Sequence, residues 1–170
     1  MRIQIYAPVC IALSETGLYL EPKIVTESKV KEANILDNTG WKVINENGST
    51  VEGGFSAIDQ NKTTVYSTPQ NNIVLDFGSE LTFSGLGYLP AQDKSFGAIE
   101  KYELLISADA KHWTSVKSGE FSNIRSNPIL QRIILDEVTS ARYVKLTALQ
   151  VVSDEQGKPN LRVAEINMYR

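Results

Sequence analysis

The chain has 170 residues, with 17 lysines and arginines against 20 acids and a formal net charge of −3. That mild acidic balance supplies no pull toward nucleic acid or anionic lipid, and no apolar run reaches the roughly 20 residues that span a bilayer. A single cysteine, Cys10, and a single histidine, His112, exclude an internal disulfide, a thiolate zinc cluster and any multi-histidine centre.

The start, MRIQIYAPVCIAL, has the basic-then-apolar look of a secretion signal, but Gln4 and Pro8 interrupt the apolar stretch and no small-x-small cleavage site follows. The alternation of Ile3 and Ile5 with Gln4 and Tyr6 predicts a strand instead. Two isolated strands cannot bury a face by themselves, so residues 1–20 read as the terminal strands of a preceding β-domain. The alternative is an edge strand of the following domain. Residues 21–39, EPKIVTESKVKEANILDNT, are polar, charged and weakly patterned, and read as a linker. From Gly40-Trp41 onward, period-two alternation takes over. Ile73, Leu75 and Phe77 share a face in IVLDF; Tyr102, Leu104 and Ile106 do so in IEKYELLIS; Val144, Leu146 and Ala148 in YVKLTAL; Ala164, Ile166 and Met168 in VAEINMY. Such segments bury one face of a pleated strand and wet the other. Turn signals stand at Asn47-Gly48, Gly53-Gly54, Gly78-Ser79, Asn127-Pro128 and Gly157-Lys158-Pro159. No segment keeps a 3.6-residue period for three turns, ESKVKEANIL coming nearest. The pattern predicts an all-β, antiparallel β-sandwich over residues 40–170.

Two stretches carry more than a generic sandwich. They are SAIDQNKTTVYST (56–68) and GLGYLPAQDKSFGAIEKYELLISADAKHWTSVKSGEFSNIRSNP (85–128), the second followed by ARYVKLTAL and VAEINMY. In this order they resemble the coagulation factor V/VIII type C (discoidin) domain, and in particular the family 32 carbohydrate-binding modules that bacteria append to glycoside hydrolases. The resemblance implies a jelly-roll sandwich of the galactose-binding-domain type. RIQIYAPVCIALSETGLYLEP (2–22) resembles the last strands of the accessory β-domain of family 29 α-L-fucosidases. That implies a C-terminal piece of a larger secreted or periplasmic hydrolase, with a chitobiase-like β-hexosaminidase as the alternative parent.

In AIDQNKTT an acidic residue is followed closely by Asn61 and Thr64 in a loop. Calcium takes six to eight oxygen ligands from carboxylates, amides and carbonyls, which such a loop can supply. The resemblance places the Asp59 and Glu165 carboxylates around one structural calcium ion, with carbonyls from Ser56, Asn61, Thr64 and Ala164 completing the set. The family's glycine after the aspartate is Gln60 here. Without an ion, Asp59 would simply cap an Asx-turn.

Sugar-binding modules set an aromatic ring against the apolar face of a pyranose and direct a few donors at its hydroxyls. By the resemblance, a recognition histidine falls at Ser67 and a recognition arginine at Ala91, while Gln92 and Asp93 remain and no asparagine stands in KSFG. Phe96 at a loop tip is a candidate stacking ring. Tyr66 stands near the family's tryptophan, where core packing is the simpler role. Asn123, Arg125 and Asn127 form a donor-dense loop that could equally stabilise the turn before Pro128. His112 lies in a hairpin turn with no nucleophile or acid in the pattern of a triad, and Trp113 after it is expected to anchor the core. The pairs Asp136-Glu137 and Asp154-Glu155 read as solvated turns rather than as glycosidase carboxylates. These readings predict a non-catalytic, monomeric module. Its partners would be a galactose-type or fucosylated glycan and a parent catalytic domain, without nucleic acid or membrane insertion. The alternative is a structural appendage that has lost sugar affinity.

Overall fold

A computed structural model describes residues 34–93, 96–153 and 160–170. The terminal strands expected at 1–20, and the expected linker up to residue 33, lie outside the described residues. More than half of the described residues lie in seven strands: β1 (Lys42–Ile44), β2 (Tyr66–Thr68), β3 (Asn72–Pro90), β4 (Ile99–Ser107), β5 (Thr114–Glu120), β6 (Gln131–Val151) and β7 (Leu161–Tyr169). Every pairing is antiparallel. The strand order is β2-β7-β3-β6-β4-β5, with β1 on the free flank of β3.

Two strands are long enough to serve both layers of a galactose-binding-like sandwich. The first half of β3 pairs with the second half of β6 (Asn72 with Thr147, Asp76 with Tyr143), and these two join β1, β4 and β5 in one layer. The second half of β3 pairs with the start of β6 (Tyr88 with Gln131) and with β7 (Gly85 with Tyr169), making the other layer with β2. Between the halves the register breaks, from Asp76 to Leu81 and again from Phe83 to Gly85. Bulges of this kind bend a strand and let one sheet fold over itself.

The alternating apolar positions meet inside. Ile73, Leu75, Val144, Leu146, Leu104, Phe83, Leu86, Ile133, Ile166 and Met168 are each at most 2% exposed and belong to one core. Trp41 packs on Phe77 with ring centroids 4.6 Å apart at one side of that core, and Phe121 stacks on Tyr102 at 4.6 Å and on Tyr88 at 5.6 Å at the other. Residues 34–36, assigned from sequence to the linker, hydrogen-bond to the end of β7. Leu36 N–H donates to Met168 O (2.9 Å), and Arg170 N–H donates to Asn34 O (3.0 Å). Trp113, expected in the core, lies instead half-buried just before β5, its ring against Lys145, and β5 itself turns only Val116 toward the core.

On β7 the alternation changes phase. Leu161 and Val163 point into the core, and so do Ile166 and Met168. The slip falls opposite Leu89 and Pro90, where the register passes from Glu165 to Val163 and skips Ala164. That bulge turns Glu165 out of the core face, yet Glu165 is only 3% exposed, so the wet position expected from the alternation is not wet.

Tyr88 ties the layers chemically as well as sterically. Its hydroxyl accepts the N–H of Ile99 at 3.0 Å in a fully buried setting, and burial raises the phenol's pKa, opposed by that hydrogen bond. Tyr88→Phe leaves the Ile99 N–H buried without an acceptor, and urea denaturation should show a loss of about 1–3 kcal/mol. A loss near zero would mean that the bond contributes nothing.

Candidate functional site

The loop between β1 and β2 brings Asp59 toward β7. A 3-10 turn at Gly54–Ala57 buries Ala57. Gln60 then adopts φ 60°, the left-handed region that favours glycine and that folds the loop back on Asp59. Asp59 Oδ1 accepts the N–H of Asn61 at 2.9 Å, as in an Asx-turn. The Thr64 hydroxyl oxygen lies 2.9 and 2.8 Å from the two Asp59 oxygens and 2.7 Å from the Asn61 carbonyl oxygen. A hydroxyl has one proton to donate, so three acceptors converge on a single donor.

Glu165 faces this loop from the β7 bulge. Both of its carboxylate oxygens are buried, and neither makes a hydrogen bond of normal geometry, although the Gln60 and Ile166 N–H groups lie close enough to act on the charge. Burial pushes its carboxyl pKa up to about 7, the nearby Asp59 carboxylate adds to the rise, and the Gln60 and Ile166 N–H groups offset part of it. Orphaned carboxylate oxygens beside a second carboxylate and a converging carbonyl suit a hard cation with oxygen ligands. Of the residues expected as ligands, Asp59, Asn61 and Thr64 are thus drawn together, and Glu165 is directed toward them from Ala164–Glu165 on β7. Ser56 stands in the 3-10 turn, its N–H donating to Gly53 O at 3.1 Å.

Immediately after the loop, β2 carries Tyr66 and Ser67. Tyr66 is 8% exposed and part of the core, so its ring presents no face to a ligand. Ser67 is exposed and lies opposite Arg162 in the β2–β7 register. Arg162 is a residue that strand alternation alone did not single out. Its Nη2 donates to Asp93 Oδ2 at 2.8 Å, its guanidinium lies 4.7 Å from the centre of the Phe96 ring, and its N–H donates to Gly97 O at 3.0 Å. Gly97 makes that approach possible, because a Cβ there would run into the Asn160 carbonyl and would meet Arg162 Cγ at 2.8 Å. Ala91, where the resemblance puts a recognition arginine, is 1% exposed and offers nothing to a ligand. A guanidinium is nevertheless present at this end of the sandwich, supplied from β7. The signal for it was the position opposite Ser67, visible only once the register is known.

The remaining candidates knit neighbouring loops. Gln92 Nε2 donates to Pro90 O (2.7 Å) and Pro128 O (2.8 Å), fastening the β3–β4 loop to the segment before β6. Asn123 takes φ 61°, and its carbonyl accepts the N–H groups of Ser126 (3.1 Å) and Asn127 (2.9 Å). Asn127 O accepts the Ile129 N–H at 2.9 Å. Arg125 grips Glu100 through Nε and Nη2, the latter at 3.0 Å, and those bonds hold the Glu100 carboxyl below the usual glutamate range. His112 is exposed, its ring Nδ1 2.7 Å from Asp109 Oδ2, in a turn with no nucleophile beside it.

The sandwich thus carries a carboxylate-bearing loop beside its last strand and, at one end, Ser67, Arg162, Asp93 and Phe96 close together. The F5/8 type C domain family model matches residues 25–166, and the chain belongs to that family. Solved structures similar to this chain include family 32 carbohydrate-binding modules. One is CpGH89CBM32-5 from Clostridium perfringens, in complex with GalNAc-β-1,3-galactose, 24% identical with a TM-score of 0.65 over 81% of this chain and 100% of that one. The family 32 module of NanJ from the same organism, in complex with galactose, is 22% identical with a TM-score of 0.64 over 81% and 99%. CBM32-3 from a family 31 glycoside hydrolase of C. perfringens is 20% identical with a TM-score of 0.67 over 79% and 94%.

The raised Glu165 pKa fixes a pH dependence for the metal-free protein. A folded value near 7 against an ordinary value of 4.5 means that the unfolded chain ionises first. Between these limits the folded state binds more protons, so stability falls as pH rises. In the presence of a chelator, the urea midpoint should therefore drop from pH 4.5 to pH 7, and Glu165→Gln should remove this component. A flat midpoint in the parent protein would show that Glu165 is not buried as an acid.

Proposed function

We propose that this chain is a non-catalytic carbohydrate-binding module that holds one structural calcium ion and serves a secreted or periplasmic glycoside hydrolase. The observation that carries the reading is the cluster of Phe96, Arg162, Asp93 and Ser67 at one end of the sandwich. An aromatic ring, a guanidinium held in place by a carboxylate, and an exposed hydroxyl are the groups that recognise a pyranose. Family membership and the galactose-type sugars bound by the similar modules support the same ligand class.

Calcium would be held by Asp59 and Glu165, with carbonyl and amide oxygens of Ser56, Asn61, Thr64 and Ala164. When bound it supplies positive charge to two carboxylates that otherwise face each other unpaired. Asp59, Asn61 and Thr64 then hold the loop that leads into β2, which keeps Ser67 opposite Arg162. Weak glycan binding by such a module raises the effective concentration of an attached catalytic domain at its substrate. The resemblance of residues 2–22 to the fucosidase accessory domain makes an α-L-fucosidase our proposed parent, with a β-hexosaminidase as the alternative. A structural appendage without sugar affinity is the second reading, favoured by the buried Ala91 and by Gln92 being engaged with two backbone carbonyls.

A glycan array followed by calorimetry on the chain tests this. A galactose-type or fucosylated glycan should bind, and Phe96→Ala or Arg162→Ala should each weaken it about tenfold. Calcium should raise the melting temperature of the parent protein but not of the Asp59→Ala/Glu165→Gln double variant. Absence of binding to any glycan on the array would select the appendage, and a melting temperature indifferent to calcium would remove the metal.

A further inference from the structure

A second surface, remote in sequence from the loops just described, has the composition of a ligand site. Between the turn after β1 and the β4–β5 hairpin turn lies a cleft of about 400 Å³, lined by Asn45, Glu46, Val74, Lys111, Trp113 and Lys145. Val74 and Lys145 are register partners on adjacent strands, so they lie side by side on the outer face of the five-strand layer. Val74 forms an apolar floor and is only 2% exposed. Trp113 stands above it, half-buried, with Lys145 Nζ 4.4 Å from its ring centre.

The cleft carries more positive than negative charge, Lys111 and Lys145 against Glu46. Among the described residues, neither Lys111 nor Lys145 has a carboxylate within ion-pairing distance. The acid nearest in sequence, Asp109, is engaged elsewhere. Its Oδ1 accepts the backbone N–H groups of Lys111 (2.9 Å) and His112 (2.8 Å), and its Oδ2 meets the His112 ring. The opposite wall is rigid. Asn45 Oδ1 accepts the Ser49 N–H at 2.9 Å, and the turn is closed by Gly48 N–H donating to Asn45 O at 2.9 Å. The Asn45 amide nitrogen has no partner among the described residues. The lining thus sets two lysines and an indole against one acid, Glu46, so the cleft offers an anion a positive charge beside an aromatic face.

We propose that this cleft is a second binding site, for an acidic saccharide of the uronic acid type. The sugar carboxylate would pair with Lys145 and Lys111. Lys145 would exchange its contact with the indole for a charge-assisted hydrogen bond, which is the stronger of the two at an exposed position. The ring face so released takes the C–H face of the pyranose, and Asn45 and Glu46 are placed for its hydroxyls. No covalent step is involved. The site shares no residue with the Phe96–Arg162 cluster, and the inference stands whether or not that cluster binds sugar.

The test is a titration of the whole chain with an oligogalacturonate and with a neutral galacto-oligosaccharide of equal length, followed by tryptophan fluorescence. The two tryptophans are separable, because Trp41 is 6% exposed and packed on Phe77. The oligogalacturonate should produce a saturable change that weakens with added salt. Lys145→Ala and Lys111→Ala should each weaken it about tenfold, whereas Lys145→Arg should retain most of it and Lys101→Ala, at an exposed lysine outside the cleft, should leave it unchanged. Circular dichroism checks that the lysine variants fold. No saturable change, equal response to the neutral oligosaccharide, persistence in the Lys111→Ala/Lys145→Ala double variant, or loss in Lys101→Ala would each overturn the proposal.

Discussion

A carboxylate removed from water, with no well-formed hydrogen bond on either oxygen, is among the most costly groups a small β-domain can carry. Glu165 is such a group. It arrives there through a one-residue bulge on β7, which lets Leu161 and Val163 face the core on one side of the slip and Ile166 and Met168 on the other. The bulge and the burial are therefore one feature. A strand that kept strict alternation would have to give up core contacts at one end or the other. The loop carrying Asp59, Asn61 and Thr64 closes over the outward face that results, and its oxygen-rich lining follows from what it has to cover.

From that covered face the arrangement around Arg162 can be followed step by step. The loop passes directly into β2, β2 pairs with the first residues of β7, and Ser67 comes to lie opposite Arg162. Arg162 is only 14% exposed at its side chain and is oriented by Asp93 on one side and Phe96 on the other. A guanidinium fixed in this way loses little conformational freedom when a ligand arrives. Gln92 performs a similar service for the loop itself, joining Pro90 to Pro128 through two backbone carbonyls.

How much of this could be read from sequence depended on where alternation remained intact. IEKYELLIS coincides with β4 residue for residue: Tyr102, Leu104 and Ile106 keep one phase, and only at its start does a register slip bring Ile99 inside as well. The halves of β3 and β6 were visible at 73–77 and 143–149, but their full lengths were not, since the bends at Asp76–Leu81 and Phe83–Gly85 reset the phase. β5 was invisible for a different reason: TSVKSGE has a single apolar side chain, Val116, and pairs only as an edge strand. Asp59 and Glu165 were legible as a pair through the family resemblance alone. Alternation put Glu165 in solvent, which is wrong because an irregular loop covers it and irregular loops leave no periodic trace. Trp113 was misplaced by the habit of large rings to be buried, and Arg162 was overlooked because its importance lies in a cross-strand neighbour.

The sharing of β3 and β6 between layers also has a consequence in time. The core edge of β3 finds its main partner only in β6, whose first residue follows the end of β3 by 41 positions (131 − 90). At a translation speed of about 5–20 residues per second, that edge emerges from the ribosome roughly two to eight seconds before its partner. For that interval a nascent strand rich in Ile, Val, Leu and Phe is an open template for wrong pairing. Its protection lies in the early arrival of β1, which covers one flank, and in the glycines at 78, 85 and 87, which make the waiting strand a poor match for a flat, foreign one.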